Sequence, residues 1–220
     1  MFEPEVIKMI GMGILETLYM VFLSSAISYI IGLPLGIILV ITDKNGIYPF
    51  VVINKVLGFI VNVVRSVPFI ILLITILPFT RLVAGTTYGA NATVVPLIVS
   101  AAPFVARMVE ASIKEVPEGV IEAAKAMGAS TFQIIWKVLI PEAMPSLITG
   151  SAIAITTILG YSAMAGFTGG GGLGDIAIRY GYHRYQTDTM LITVVILVII
   201  VQLIQDIGLK IAMKKDKRIS

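Results

Sequence analysis

A run of glycines at residues 169–174 has the spacing of a phosphate-binding loop. Gly169, Gly171 and Gly174 satisfy the pattern G-x-G-x-x-G, in which backbone N–H groups approach a pyrophosphate at the start of a helix. That chemistry requires a β-strand before the glycines, whereas this segment follows a long apolar stretch and is not followed by a G-K-[S/T] triplet. The sequence therefore predicts a flexible external loop rather than a nucleotide site.

Metal binding and catalysis have even less support from the residue types. His183 is the single histidine and the chain has no cysteine, so the usual ligands of a zinc site are missing. His183 lies among tyrosines, which favours a loop at the headgroup depth of a membrane. The apolar stretches contain no convergent Ser/His/Asp set and no paired carboxylates. We therefore predict no catalytic residue, no metal and no cofactor.

A charged segment at residues 117–141 interrupts the apolar sequence. Pro117 is tolerated in the first turn of a helix. Gly128 suits the left-handed conformation that ends a helix. Ser130, with Gln133 three residues later, has the spacing of a capping box at a helix start. The sequence therefore predicts a short helix, a sharp turn, and a second helix that continues into an apolar span.

The predicted short helix has two different faces at helical spacing. The charged face consists of Glu118, Glu122 and Lys125, and the opposite face consists of Val120, Ala123, Ala124 and Met127. Small side chains allow a helix to dock closely into a groove. An ordinary amphipathic helix lying on a membrane would have the same periodicity, so the pattern alone leaves both interpretations open.

The apolar stretches are long enough to cross a bilayer, which takes about 20 residues per helix. Apolar residues make up 57% of the chain and charged residues 13%, against about 25% charged in an average soluble domain. The stretch from Phe50 to Phe79 is too long for one span and contains Lys55 and Arg65, which predicts an interfacial or broken helix leading into the second span. The five predicted spans are 14–41, 60–81, 89–109, 143–165 and 189–209, within a transmembrane domain at 14–210.

The first predicted span contains a G-x-x-x-G pattern at Gly32 and Gly36. Such a pattern is typical of close helix packing, but Pro34 lies between the two glycines and favours a kink equally well.

The distribution of basic residues predicts the orientation of the spans. With the C-terminus in the cytoplasm, twelve of the 16 Lys and Arg residues lie on the cytoplasmic side, which is a strong positive-inside bias. Only Lys8, Arg81, Arg179 and Arg184 lie outside. This orientation makes residues 1–13 an external segment, 117–128 a cytoplasmic helix and 211–220 a basic cytoplasmic tail.

Residues 122–141, EAAKAMGASTFQIIWKVLIP, resemble the signature loop of ABC importer permeases: EAA, three residues, Gly, nine residues, then Ile-x-Leu-Pro. Val138 and Ile140 depart from the pattern and keep its apolar bulk. The segments RSVPFIILLITILPFTR (65–81), VPLIVSAAPFVARMVE (95–110) and GYSAMAGFTGGGGLGDIAIRYGY (160–182) extend the resemblance to bacterial methionine-uptake permeases. The matching loop positions are Glu122, Ala123, Ala124, Gly128 and Pro141.

The resemblance implies an all-α polytopic membrane protein with the type I ABC importer permease architecture, including five spans and a cytoplasmic coupling helix. It implies a homodimer in the bacterial inner membrane that works with two copies of a separate ATPase and an external methionine-binding protein. The ATPase-coupling loop would include Glu118 besides the matching positions. Tyr161, Ser162 and Met164 are the candidate pathway or gate residues, although packing of a dimer core would explain them equally well.

Other interpretations stay open at this point. A permease for another amino acid or small polar solute would have a similar pathway. A secondary transporter would need no ATPase, but such transporters use intramembrane acids for the coupling ion, and the apolar stretches contain almost none. We expect contact with membrane lipid and none with nucleic acid.

Overall fold

All regular elements of the described chain are helical. The structure, a computed structural model, describes residues 4–216. The α-helices are α1 (Pro4–Ile41), α2 (Val51–Ser66), α3 (Phe69–Thr75), α4 (Leu77–Ala84), α5 (Ala90–Lys114), α6 (Glu118–Ala126), α7 (Thr131–Ile134), α8 (Ile140–Met164), α9 (Gly172–Ile176) and α10 (Thr187–Lys215). Two π-helical turns, Ile135–Leu139 and Ala177–Tyr182, and one 3-10 turn, Ala165–Thr168, complete the set within these residues.

Within residues 4–216, four stretches of helix are long and apolar enough to cross a membrane: Pro4–Ile41, Ala90–Lys114, Thr131–Thr168 and Thr187–Lys215. Helices α2 and α3 meet the same criterion only when they are taken together as one span. By length and composition, the described chain thus has four candidate spans, or five if this pair is counted. The predicted all-α, multi-span fold class is confirmed.

The second span is broken, as the sequence of residues 50–79 predicted. Helix α2 ends at Ser66, α3 begins at Phe69, and their axes are bent by 99°. Pro68 explains the break, because it has no backbone N–H and its ring keeps the preceding residue out of the α-conformation. The predicted span therefore consists of the end of α2 followed by the short helices α3 and α4.

The ends of the chain differ from the predicted boundaries. Helix α1 begins at Pro4, so residues 4–13 are part of the first helix. Helix α10 continues to Lys215, which places residues 211–215 of the predicted basic tail in that helix. The rest of these two predicted segments, residues 1–3 and 217–220, lies outside the described residues.

The chain divides into two compact units. Unit 1 comprises the described parts of Met1–Ile27, Val67–Ala101 and Ile155–Gln205. Its apolar core draws on α1, α3, α5 and α8, and includes Met20, Phe69, Leu73, Leu97 and Ile158. A segment of closely packed glycines, residues 169–174, belongs to this unit.

Unit 2 comprises Ser28–Ser66, Ala102–Ala154 and the described part of Asp206–Ser220. Its core brings together α5, α6 and the start of α8. The buried members include Val109, Ile113, Ala124, Ile134 and Leu139. Because α6 contributes to this core, the short helix between two spans is an integral part of unit 2.

Close packing between α1 and α5 in unit 2 explains the G-x-x-x-G pattern. A Cβ atom on Gly32 would lie 2.7 Å from the carbonyl oxygen of Ala102, and one on Gly36 would lie 2.6 Å from that of Ala106. Both distances are shorter than carbon–oxygen contacts allow, so only glycine fits. The helix also continues through Pro34 without ending. The packing interpretation of the pattern is confirmed.

The packing predicts opposite effects for two glycines of α1. Gly36→Ala overfills the contact with α5, which typically costs about 1–3 kcal/mol. Gly11 has no atom within 4 Å of a Cβ position, so Gly11→Ala gains helix propensity of up to about 1 kcal/mol. Thermal unfolding of the purified chain in detergent checks both. A Gly36→Ala midpoint at or above that of Gly11→Ala would contradict the account.

Candidate functional site: the α6 loop

Helix α6 begins and ends at the signals in its sequence. Pro117 is the N-cap residue, with an extended backbone, and Glu118 lies in the first turn. At the other end, the Gly128 N–H donates to the Lys125 carbonyl at 2.9 Å, and Gly128 has a φ of 77°. The left-handed conformation at Gly128 is thus confirmed, and it turns the chain sharply towards α7.

The helix after the turn begins with the predicted capping box. The Gln133 N–H donates to the Ser130 hydroxyl at 3.3 Å, and the Ser130 N–H donates to the Gln133 side chain at 2.8 Å. A π-helical turn at Ile135–Leu139 follows. Pro141 lies at the second position of α8, where its missing N–H leaves the Lys137 carbonyl without the usual partner. In a regular α-helix the proline ring would also clash with that carbonyl. A π-helical turn before the proline is wider and relieves this clash.

Ala124 corrects the sequence interpretation of the two faces of α6. It is only 3% exposed and lies in the core of unit 2 with Val116, Ile134 and Leu139. Half-buried Ile121 packs against the same core. The Ala124 side chain therefore contacts its own chain, so it holds α6 in place instead of fitting into a groove of another protein.

The outward face of α6 exposes an apolar stripe, which we define as Val120, Ala123 and Met127. These residues recur at intervals of three and four, so they lie along one side of the helix. Met127 is 82% exposed, although it is a large apolar side chain. Phe132 and Trp136 of the next helical segment are exposed as well, and their ring centroids are 6.1 Å apart.

The charged residues of α6 lie beside a separate groove. Glu118 and Glu122 are exposed, and they border a cavity of about 480 Å³ together with Lys114, Lys125 and Asp43. Both signs of charge line this cavity. The six positions predicted for the loop thus have distinct surroundings: Glu118, Glu122, Ala123, Gly128 and Pro141 are exposed, and Ala124 is buried.

A network of charged side chains on α5 leads to the start of the loop. The Lys114 ammonium lies 2.9 Å from Asp43 Oδ2 and 2.9 Å from Glu110 Oε1. Arg107 forms an ion pair with Glu110. The Arg107 guanidinium also donates to the Gly58 carbonyl at 3.0 Å. Because these groups neutralise one another, charged side chains are tolerated in a span-forming helix.

This network ties three elements of unit 2 together. Arg107 donates to Asn62 Oδ1 at 2.9 Å, which joins α5 to α2. Lys114 joins α5 to the turn after α1, and its ammonium lowers the pKa of Asp43 below the ordinary value. Sequence analysis missed the network, although the spacing of Arg107, Glu110 and Lys114 at three and four residues is a signal for it.

The candidate pathway residues lie in unit 1 and have unequal surroundings. Tyr161 stacks on Phe69, with ring centroids 4.6 Å apart and planes at 4°. Ser162 is buried, and its hydroxyl donates to the Leu159 carbonyl at 2.7 Å. Met164 is 50% exposed and is the last residue of α8. Within the described chain, only Met164 of the three presents a mainly free side chain.

The sequence of the chain matches a known family of transport proteins. Residues 32–212 match the model of the binding-protein-dependent transport system inner membrane component. A protein named "Probable D-methionine transport system permease protein MetI" from Vibrio cholerae is 49% identical over 203 residues, covering 92% of this chain and 90% of that protein. The protein of the same name from Pasteurella multocida is 48% identical over 215 residues, covering 98% and 99%.

Solved structures agree with this match. A structure of the MetNI methionine ABC transporter in inward-facing conformations has a TM-score of 0.96 and 44% identity, covering 98% of this chain and 100% of the other. The chain therefore belongs to the inner membrane components of binding-protein-dependent transport systems. It has the type I ABC importer permease fold, and it is a multi-pass inner-membrane transport subunit rather than an enzyme.

Substitutions of two neighbouring alanines of α6 compare the effect on stability of a buried position with that of an exposed one. Ala124→Trp forces an indole into a filled core, and we expect it to destabilise the isolated chain by at least about 1–3 kcal/mol. Ala123→Trp adds the same ring to exposed surface and should leave stability within about 0.5 kcal/mol. Thermal unfolding of the chain without partners measures both. Equal midpoints for the two variants would show that Ala124 does not hold the helix.

The Asp43–Lys114 ion pair predicts a dependence of stability on pH. Because the pKa of Asp43 is lowered in the folded chain, its contribution is present above the ordinary value of 3.8 and is lost as the pH falls through the folded value. The stability difference between the parent and Asp43→Asn should be below about 1 kcal/mol at pH 7, since the pair is partly exposed. Unfolding midpoints at pH 7 and pH 3 should show the difference shrinking, and a difference that grows in acid would refute this.

Proposed function

We propose that this chain is the permease subunit of an ATP-driven importer of methionine, accepting the L- and the D-enantiomer. The substrate follows from the names of two relatives at 48–49% identity and from a methionine transporter structure at 44% identity. An importer of another amino acid or small polar solute remains the alternative, because Tyr161, Ser162 and Met164 would suit many such solutes.

The proposal that α6 is the coupling helix rests on the exposed apolar stripe of Val120, Ala123 and Met127. A separate ATPase subunit would hold this stripe in a groove, and Glu118 and Glu122 would border the contact. The exposed rings of Phe132 and Trp136 would extend it, since aromatic side chains contribute strongly to interfaces. Ala124 and Gly128 keep α6 in position, so a movement of the ATPase would move α6 and unit 2 together.

The proposed assembly contains two copies of this chain and two ATPase subunits. Each chain has one α6 stripe, so an ATPase that closes around ATP as a dimer needs two chains. An external binding protein would deliver methionine to the permease pair. The two chains would then change between inward-open and outward-open states as the ATPase binds and hydrolyses ATP.

The proposed orientation places the N-terminus outside and the C-terminus in the cytoplasm. The positive-inside distribution of Lys and Arg supports it. In this orientation α6 faces the ATPase, and Met164 lies near the external end of α8. Met164 is proposed as the gate residue because its exposed, unbranched side chain can repack as a passage opens and closes. Tyr161 and Ser162 would support it from the core.

Reconstitution tests the proposed function directly. Proteoliposomes containing the chain and its ATPase should accumulate radiolabelled methionine only when ATP and the binding protein are both supplied. Uptake that continued without ATP and collapsed with an ion gradient would identify a secondary transporter instead. Uptake of a different amino acid in preference to methionine would support the alternative substrate.

Variants of α6 test the coupling role in the same assay. Ala123→Trp should leave the chain stably folded and reduce methionine uptake by about tenfold or more, because a bulky ring in the stripe costs at least about 1.4 kcal/mol of association. Glu122→Ala is the matched control and should have a milder effect, since it removes an exposed charge. ATPase co-purification is measured alongside uptake. Normal uptake and normal co-purification of Ala123→Trp would exclude the stripe as the ATPase contact.

A further inference from the structure

The glycine segment at 169–174 is held in a fixed conformation, contrary to the flexible loop expected from the sequence. It follows the 3-10 turn Ala165–Thr168, and its last three residues begin α9. Gly171 and Gly172 have φ angles of 78° and 73°, a conformation that residues with side chains rarely adopt. The chain turns here so that the N–H groups of Gly172 and Leu173 point towards α1.

Two side chains of α1 accept these N–H groups. Glu16 Oε2 accepts the Gly172 N–H at 2.7 Å, and Thr17 Oγ1 accepts the Leu173 N–H at 2.9 Å. The Thr17 hydroxyl in turn donates to the Gly13 carbonyl at 2.8 Å, so its orientation is set by its own helix. Thr17 is 1% exposed and Leu173 is fully buried, so water cannot replace the bond between them.

The start of α5 holds the other end of the segment. The Thr93 hydroxyl donates to the Gly170 carbonyl at 3.0 Å. The Gly89 N–H donates to the Gly169 carbonyl at 2.8 Å. Hydrogen bonds therefore reach the segment from two different helices of unit 1.

The backbone at Gly172 packs against α1 so closely that no side chain fits there. A Cβ atom on Gly172 would lie 2.6 Å from Thr17 Oγ1 and 2.8 Å from Met20 Cε. A displacement of the segment relative to α1 would therefore break these contacts. Met164 precedes the 3-10 turn directly, so the same bonds fix the backbone that follows Met164.

We propose that Thr17 and Glu16 are positioning residues for the gate. They lock the glycine segment to α1, and the segment in turn keeps Met164 where it closes the passage. This inference rests on the proposed function, which assigns Met164 as the gate residue. If these hydrogen bonds are lost, the gate opens without ATP, and substrate leaks through the membrane.

Thr17→Val tests the proposal, because valine has nearly the shape of threonine and no acceptor oxygen. The complex with the ATPase is reconstituted in proteoliposomes that are loaded with radiolabelled methionine, and efflux is measured without ATP. Losing the buried hydrogen bond from the Leu173 N–H should raise efflux per assembled complex roughly 5- to 30-fold. Thr17→Ser keeps the acceptor and should restore the parent efflux. A residue that only stabilises the fold would change the yield of complex and leave efflux per complex unaltered.

The outcomes separate this inference from the proposed function. If the parent complex does not import methionine with ATP and binding protein, the proposed function fails. If the parent imports methionine while Thr17→Val and Thr17→Ser have equal efflux, the positioning role is refuted. If Thr17→Val does not assemble, Glu16→Gln and Glu16→Ala replace it, because glutamine keeps a carbonyl acceptor. Efflux higher in Glu16→Ala than in Glu16→Gln supports the proposal, and equal efflux overturns it.

Discussion

The burial of Ala124 in the core of unit 2 is the contact on which the proposed coupling depends. A helix of nine residues is too short to persist by its own hydrogen bonds in water. Ala124 and Ile121 anchor α6 to Val116, Ile134 and Leu139, so tertiary packing supplies what helix propensity does not. The same packing turns Val120, Ala123 and Met127 outward. One small buried side chain thus both fixes the helix and defines which face is free.

Polar groups in the apolar helices follow a second constraint, because lipid offers them no hydrogen-bond partner. Glu110 pairs with Arg107 and with Lys114, which also reach Asn62 and Asp43. In unit 1, Glu16 and Thr17 are used to hold backbone N–H groups. In both units a polar side chain joins separate parts of the chain. Such bonds specify one arrangement of helices that apolar packing alone would leave less defined.

Local signals predicted much of the fold. Hydropathy identified the long helices, Gly128 and Ser130 marked the turn after α6, and Gly32 with Gly36 marked the contact with α5. These signals depend on only a few neighbouring residues. The 99° bend between α2 and α3 also has a local cause in Pro68.

The remaining features depend on tertiary contacts. Helical spacing placed Ala124 beside Ala123 on one face, and only the position of the core shows that the two differ in burial. Glycine content suggested flexibility at 169–174, whereas contacts with Thr17 and Thr93 hold that segment. The EAA pattern located the loop, but it did not distinguish the residue that anchors α6 from those that are exposed.

Single-cysteine labelling tests the central claim, that α6 is anchored by its own chain and offers its stripe to an ATPase. The chain has no cysteine, so Met127→Cys creates a unique thiol on the stripe, and Tyr88→Cys creates a matched one at an exposed site in unit 1. The purified chain in detergent is treated with a maleimide, with and without its ATPase. We expect the ATPase to protect Met127→Cys and to leave the labelling rate of Tyr88→Cys unchanged. Equal labelling of Met127→Cys with and without bound ATPase would contradict the account.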